Sequence, residues 1–396
     1  MEEWIWELLK GVGFFFLHPL FYIGLFYSIG LGYTRVKRER KNFKIRVQDG
    51  LFELRTYLLR GLVPGVLLSA LLWIAGVMVP VEFLWAALMV TLLFALFFRP
   101  GFLSPAYTAG LAYVLLLAYS YYPVENPFFI PYDHTLERET LTGVALLVGV
   151  LIFMEGVLIF RNGSRNTSPK RILSKRGLHV GIHESRRLWN VPLFLLIPGG
   201  PFTLPFDFWP LLPGAGNTFR LYLIPFWIGF SRLITDNLPA KAVRTTGKRV
   251  ALLGVVVTAV AAFGYFFPTA SPAAVALALF FRPLLQWLDN WKQKNRPFYF
   301  SKNEPGIVVL DIIPGSAAEK MGIQIGEIIR TVNGLSVRTE REFYDALQRN
   351  SAFCRLEVLD HNGENRLVTR ALYEGEHHEL GVIFVDMEGE LERNVG

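Results

Sequence analysis

Among the 396 residues, His179 and His183, four positions apart and followed by Glu184, come nearest to the spacing of a metal site. On a helix such a pair faces one ion, and a neighbouring carboxylate can act as base, as in His-Glu-x-x-His peptidases. Here the pair sits in a Gly-containing basic stretch without a further close ligand, and His-Glu-x-x-His does not occur. Metal-dependent hydrolysis is not expected. Serine hydrolysis lacks its sharp nucleophile turn too, since neither Gly-x-Ser-x-Gly nor Gly-Asn-Ser-Gly is present. The remaining polar candidates read as structural. Glu155, inside an apolar run, would cost about 2.5–3.5 kcal/mol at a bilayer centre and less near an edge, so a partner or snorkelling is expected rather than a proton relay. His18, before Pro19, reads as a pathway residue or, more commonly for such a position, as interfacial, and Asp207, among prolines, as part of an outer loop. Cys354 is the single cysteine and alternates with Leu356 and Val358 as in a strand. It rules out a disulfide within the chain, in keeping with a reducing cytoplasm. No catalytic residue, cofactor or metal is expected.

The elements around these residues are mostly apolar. With 52% hydrophobic and 14% aromatic residues, the chain reads as a membrane protein with a soluble appendix. Apolar runs at 14–33, 61–79, 83–98, 102–122, 141–160, 250–267 and 269–288 are read as helical spans. Glu2, Glu3 and Glu7 precede the first run where a signal peptide would be basic, so that run is retained. Residues 191–231 are apolar but carry seven prolines, six of them between 192 and 213, which fits a two-helix hairpin or a re-entrant segment rather than one helix. Basic blocks at 35–60 and 161–190 read as cytoplasmic, and the acidic stretch 122–139 as outside. That pattern puts the N-terminus outside and the C-terminus inside, with seven or nine crossings. Residues 43–59 mix apolar and basic types and either lie along the bilayer surface or form a solvated loop. Residues 60–80 and 248–268 look alike, and both are followed by Leu-Phe-Phe-Arg-Pro, at 96–100 and 279–283. Either a parallel repeat or the chance likeness of apolar helices accounts for this.

Residues 306–334 are the most decodable stretch. A strand from Ile307 stops at Pro314-Gly315, Ser316 caps a short helix that Gly322 ends, and a second strand runs into the hairpin signal Asn333-Gly334. Thr339 with Glu342 then forms a capping box for a longer helix. This order resembles a bacterial PDZ domain over about 296–386. The resemblance implies β-augmentation, in which a partner's tail pairs with an open strand edge beside a helix. Candidate edges are Phe298-Tyr299-Phe300 and Leu380-Gly381-Val382, the latter similar to a carboxylate loop, with Phe343 and Leu347 as the helix wall or as core. Charge divides the same way, net +14 over 1–296 and −7 over 297–396. The basic part faces anionic lipid, and the acidic part disfavours nucleic acid.

His18-Pro19-Leu20-Phe21-Tyr22, then Gly32-Tyr33-x-Arg35-Val36-Lys37-Arg38-Glu39-Arg40 and Phe43-x-x-Arg46-Val47, resemble the N-terminus of the MinJ family, polytopic division-site proteins of Gram-positive rods. The resemblance implies an adaptor between the polar scaffold DivIVA and MinD, which acts with MinC, enriched at septa and poles. It offers no catalytic residues. It also implies a cytoplasmic N-terminus, opposite to the charge pattern. The expected fold is an α-helical multi-pass membrane domain (1–290), a cytoplasmic PDZ-like domain (296–386; a small β-sandwich with two helices) and an acidic tail (387–396). A regulatory PDZ membrane protein of another complex, protease-associated or transporter-like, is the alternative.

Overall fold

The computed structural model describes residues 2–121, 138–177, 179–203, 209, 218–301, 306–350, 353–372 and 380–385. The expected acidic tail, most of the outer loop and Asp207 lie outside the described residues. Helices α1 (Glu2–Leu17) and α2 (Pro19–Phe43) meet at a bend of 49°. Proline lacks an N–H and suits a first helical turn, so Pro19 opens α2, and His18 Nδ1 caps it by accepting the Leu20 N–H at 3.3 Å. The expected span at 14–33 is therefore broken. Helix α2 also continues past the apolar run, so the basic block begins on a helix.

Helices α3 (Phe52–Leu59) and α4 (Leu62–Ala75) together form one candidate span. Tyr57 is fully buried, and its hydroxyl donates to the Phe21 carbonyl at 3.2 Å. One side of α3, at Glu53, Thr56 and Tyr57, is thus packed into the protein. Helices α5 (Val81–Ala95) and α6 (Pro105–Tyr121) flank a 3-10 turn at Pro100–Leu103, and α7 (Arg138–Leu158) follows. Among the described residues four helices are long and apolar enough to cross a membrane, or five if the bent pair counts as one. That is fewer than seven or nine. Helices α5 and α6, with 15 and 17 residues, reach only about 22–26 Å of the roughly 30 Å needed.

The larger correction concerns residues 191–231. Their described residues, 191–203, 209 and 218–231, form no two-helix hairpin and lie mostly in two long strands packed among the helices. Strand β1 (Ser168–Leu173) pairs with the long β2 (His179–Phe202), which pairs with β3 (Phe219–Ile234), all antiparallel. Prolines that forbid a helix are tolerated in a strand where no partner needs their N–H, and Pro192 stands opposite Pro225. An open edge among apolar helices would be costly. Helix α4 and the turn after it cover it: Ser69 Oγ accepts the Phe194 N–H at 2.9 Å, Trp73 Nε1 donates to the Phe194 carbonyl at 2.8 Å, and the Val79 N–H donates to the Leu196 carbonyl at 2.8 Å. By strand alternation Pro192 and Pro198 point to this same edge, where their missing N–H costs nothing.

Helices α8 (Pro239–Ala262) and α9 (Ala270–Lys294) complete the membrane part. Helices α7 and α8 touch backbone to backbone. A Cβ on Gly156 would stand 2.2 Å from Ala251 N, and one on Gly254 2.2 Å from Phe153 N, the close approach small residues permit. The core joins α4 to α9 with β2 and β3 in one cluster. The suspected repeat diverges after its first helices. Pro100 follows the end of α5, whereas Pro283 lies inside α9, and Arg99 is exposed where Arg282 is buried.

The C-terminal domain follows its sequence signals. Strand β4 (Ile307–Ile312), helix α10 (Ala317–Lys320), strands β5 (Ile328–Val332) and β6 (Leu335–Ser336), helix α11 (Glu340–Gln348) and strands β7 (Phe353–Leu359), β8 (Asn365–Ala371) and β9 (Val382–Phe384) make a sheet of order β8-β7-β5-β4-β9, with β6 on β5. Ser316 Oγ accepts the Glu319 N–H at 3.3 Å, and Thr339 Oγ1 accepts the Glu342 N–H at 3.2 Å. Asn333 and Gly334 take the left-handed conformations their hairpin needs, φ 50 and 84.

Candidate functional site

Strand β9 ends the sheet, so one of its edges has no strand partner among the described residues. Its entry is tightly held. Gly381 has φ +84, its carbonyl accepts the Ile313 N–H at 2.8 Å, and the Leu380 carbonyl accepts the Ala318 N–H at 2.9 Å. A Cβ on Gly381 would lie 2.3 Å from Ser316 Cβ, so only glycine fits. With Gly381 turned toward β4, alternation directs the main-chain groups of Val382 and Phe384 outward, the arrangement an added strand requires. Helix α11 lies alongside: the rings of Phe343 and Phe384 are 4.9 Å apart at 61°.

The side chains of the expected helix wall, and those of the expected edge at 380–382, are not on the surface. Phe343, Leu347 and Leu380 are fully buried and Val382 nearly so, all in the domain's own core. The apolar face of α11 is spent on stability. A role for this edge would therefore rest on main-chain groups rather than on these side chains.

Phe298, Tyr299 and Phe300 lie elsewhere, because the domain is docked on the membrane part. The Gly181 N–H donates to the Phe300 carbonyl and the Tyr299 N–H to Thr235, at 2.8 and 2.9 Å. Phe300 is fully buried, 5.0 Å from the His183 ring. Val47, Val308, Leu310 and Ile383 close the same seam. These three residues join two parts of the chain and do not border the β9 edge.

The histidine pair also changes meaning. Four residues along a strand separate two Cα atoms by about 13 Å, too far for one ion. His183 Nε2 lies 2.8 Å from the Leu310 carbonyl, and Nδ1 lies 3.0 Å from Thr167 Oγ1. A carbonyl only accepts, so Nε2 carries the proton and Nδ1 accepts from threonine. Burial holds this imidazole down at about 4, against the bond to Leu310, so it is neutral at neutral pH. Beside it, Asp311 is buried, with Oδ1 accepting the Ile312 N–H at 2.8 Å and Oδ2 unpartnered among the described residues. Burial first, and Glu39 second, push its carboxyl up to about 8 against that N–H. Sequence alone gave no sign of this seam, which joins positions far apart in the chain, such as His183 and Leu310.

Part of the basic block is internal wiring. Arg35 is buried between two carboxylates, Nε 2.6 Å from Glu53 and Nη1 3.1 Å from Glu39. Arg38 pairs with Glu184, tying α2 to β2. Within the helices, Glu155 accepts from Arg282 at 2.6 Å and from Ser104 Oγ at 2.6 Å, so its expected partner is an arginine.

The comparisons with known proteins agree with these features. The PDZ domain family matches residues 308–359. The cell division topological determinant MinJ of Bacillus subtilis (strain 168) is 38% identical over 383 residues, 97% of this chain and 96% of that protein. The probable cell division topological determinant MinJ of Lacticaseibacillus paracasei is 25% identical over 387 residues, 92% of this chain and 96% of its own. A multi-pass membrane part carrying a PDZ domain, matched nearly end to end, means that this chain belongs to the MinJ family.

Proposed function

We propose that this chain is a non-enzymatic membrane adaptor that positions cell-division inhibitors, linking a DivIVA-like polar scaffold to MinD, and through it MinC, at septa and poles. The free edge of β9, beside α11 and anchored at Gly381, carries the reading: it offers main-chain pairing to an extended partner segment. Phe298 to Phe300 serve the seam, which fixes that edge at the membrane. Partners already gathered on a membrane then meet it at high effective concentration, so modest affinity suffices. The basic surfaces of 35–60 and 161–187 favour a cytoplasmic side for both loops and the PDZ domain, and an outer N-terminus. The test is complementation in rod-shaped cells lacking their own family member. Full-length protein should collect at septa and restore their placement. A chain ending at residue 295 should remain in the membrane while cells form filaments and minicells. Normal division with the truncated chain would sink the proposal, and an N-terminal tag labelled only after permeabilisation would reverse the orientation.

A further inference from the structure

A cavity of about 170 Å³ opens between β3, α8 and α9, lined by Arg232, Arg249, Arg282 and Asp289. Its charges do not cancel. Arg282 is neutralised by Glu155. Arg232 and Arg249 both pair with the single carboxylate of Asp289, at 3.0 and 2.5 Å. One positive charge is left over, and Arg232 Nε has no partner among the described residues although it is buried. Two arginines and a net charge of +1 in a concave, partly enclosed site suit a monovalent oxyanion.

The depth of the cavity identifies the source of that anion. On α9, exposed Phe280 precedes the cavity residues, and Trp287 and Trp291 stand beside them, half exposed and stacked at 6.5 Å. Lys292 and Lys294 end the helix. Apolar ring, tryptophan pair and lysines in succession are the pattern of a helix leaving the hydrocarbon through the headgroup layer. We propose that this cavity binds the phosphodiester headgroup of an anionic membrane lipid of the phosphatidylglycerol type. A phosphodiester carries one negative charge and balances the site, whereas a phosphomonoester carries about 1.5 to 2 at neutral pH and exceeds it. Choline and ethanolamine headgroups would bring a cation into a positive cavity. Gln286 and Asn290, on the same wall, offer amides to glycerol hydroxyls.

The test uses the full chain in an uncharged detergent, titrated with dioctanoyl phosphatidylglycerol, dioctanoyl phosphatidylcholine or inorganic phosphate while thermal melting is followed. Phosphatidylglycerol should raise the melting temperature saturably, and the other two should not at equal concentration. Arg249→Gln should weaken the apparent affinity about fivefold, the effect of one basic residue near a lipid surface, and Arg249→Lys should not. Should Arg249→Gln melt early by itself, Asn290→Glu at the exposed mouth cancels the excess charge without touching the Asp289 pairs and should weaken binding likewise. Equal stabilisation by inorganic phosphate would mean a site for free anions. Equal stabilisation by phosphatidylcholine, or an unchanged affinity in both charge variants, would overturn the proposal outright.

Discussion

His183 Nε2 donates to the main-chain carbonyl of Leu310 across 2.8 Å, joining a strand that runs among the membrane helices to a central strand of the PDZ domain. The domain is therefore held against the membrane part rather than swinging on a linker. The β9 edge thereby keeps a fixed orientation to the membrane helices.

This bond can be broken without disturbing either half. His183→Phe fills the same space beside Phe300 but leaves the buried Leu310 carbonyl unpaired, at a cost of about 1–3 kcal/mol. Amide exchange should speed up in β4 and β9 and at Gly181, while α7 and α8 stay protected. Unchanged exchange at Gly181 would mean that the apolar contacts alone hold the seam.

The seam should also respond to pH, with a direction fixed by two groups. Asp311 has its folded pKa raised to about 8, so its contribution is complete at low pH and is lost as pH rises from about 4 to 8. His183 has its folded pKa lowered to about 4, so its contribution is present above 6.5 and is lost as pH falls from there toward 4. Glu39 and the surrounding network of Arg35, Arg38 and Glu184 are the other charged groups at this face. The two effects oppose each other between pH 4 and 6.5, which leaves a net loss between 6.5 and 8 of order 1–2 kcal/mol. Asp311→Asn should abolish that loss in the full-length chain. A melting temperature that still drops by the same amount in the variant would assign the effect to other groups.

The PDZ domain was legible because its signals are local: Ser316, Gly322, Asn333-Gly334 and Thr339 each act on residues within one turn. The β2–β3 hairpin was not. Its apolar runs are buried on both faces and so lack the alternation that marks a strand, and the prolines exclude a helix without naming the alternative. Helix α4 covers the strand edge through Ser69 and Trp73, which look like ordinary membrane residues in sequence. The candidate edge at Leu380–Val382 was found through its glycine. Phe298 to Phe300 were equally aromatic and equally near a strand, and only tertiary structure gives them to the seam.

Phe343 and the β9 edge should separate in mutagenesis. Phe343 is fully buried against Phe384, so Phe343→Ala should cost about 3–5 kcal/mol and unfold the domain. Val382→Pro removes an outward N–H that no strand among the described residues uses, and should weaken partner binding with little loss of fold. Exchange protection of β5 and β7, measured beside partner capture, distinguishes the two. Undiminished capture by folded Val382→Pro would exclude this edge as the docking strand.

The ion pair of Glu155 and Arg282 tests how the membrane part is held together. Both side chains are buried, and Ser104 supplies a second bond to the carboxylate. Removing one partner leaves an uncompensated charge, at a cost of about 3–5 kcal/mol, whereas replacing both by apolar groups of similar size is often neutral. Glu155→Gln should thus lower the melting temperature in detergent sharply, and Arg282→Met added to it should recover much of the loss. The double variant also leaves the excess charge of Arg232, Arg249 and Asp289 untouched, so its response to anionic lipid should persist. If Glu155→Gln melts like the parent, the pair contributes no net stability and its role must be sought in the cavity beside it.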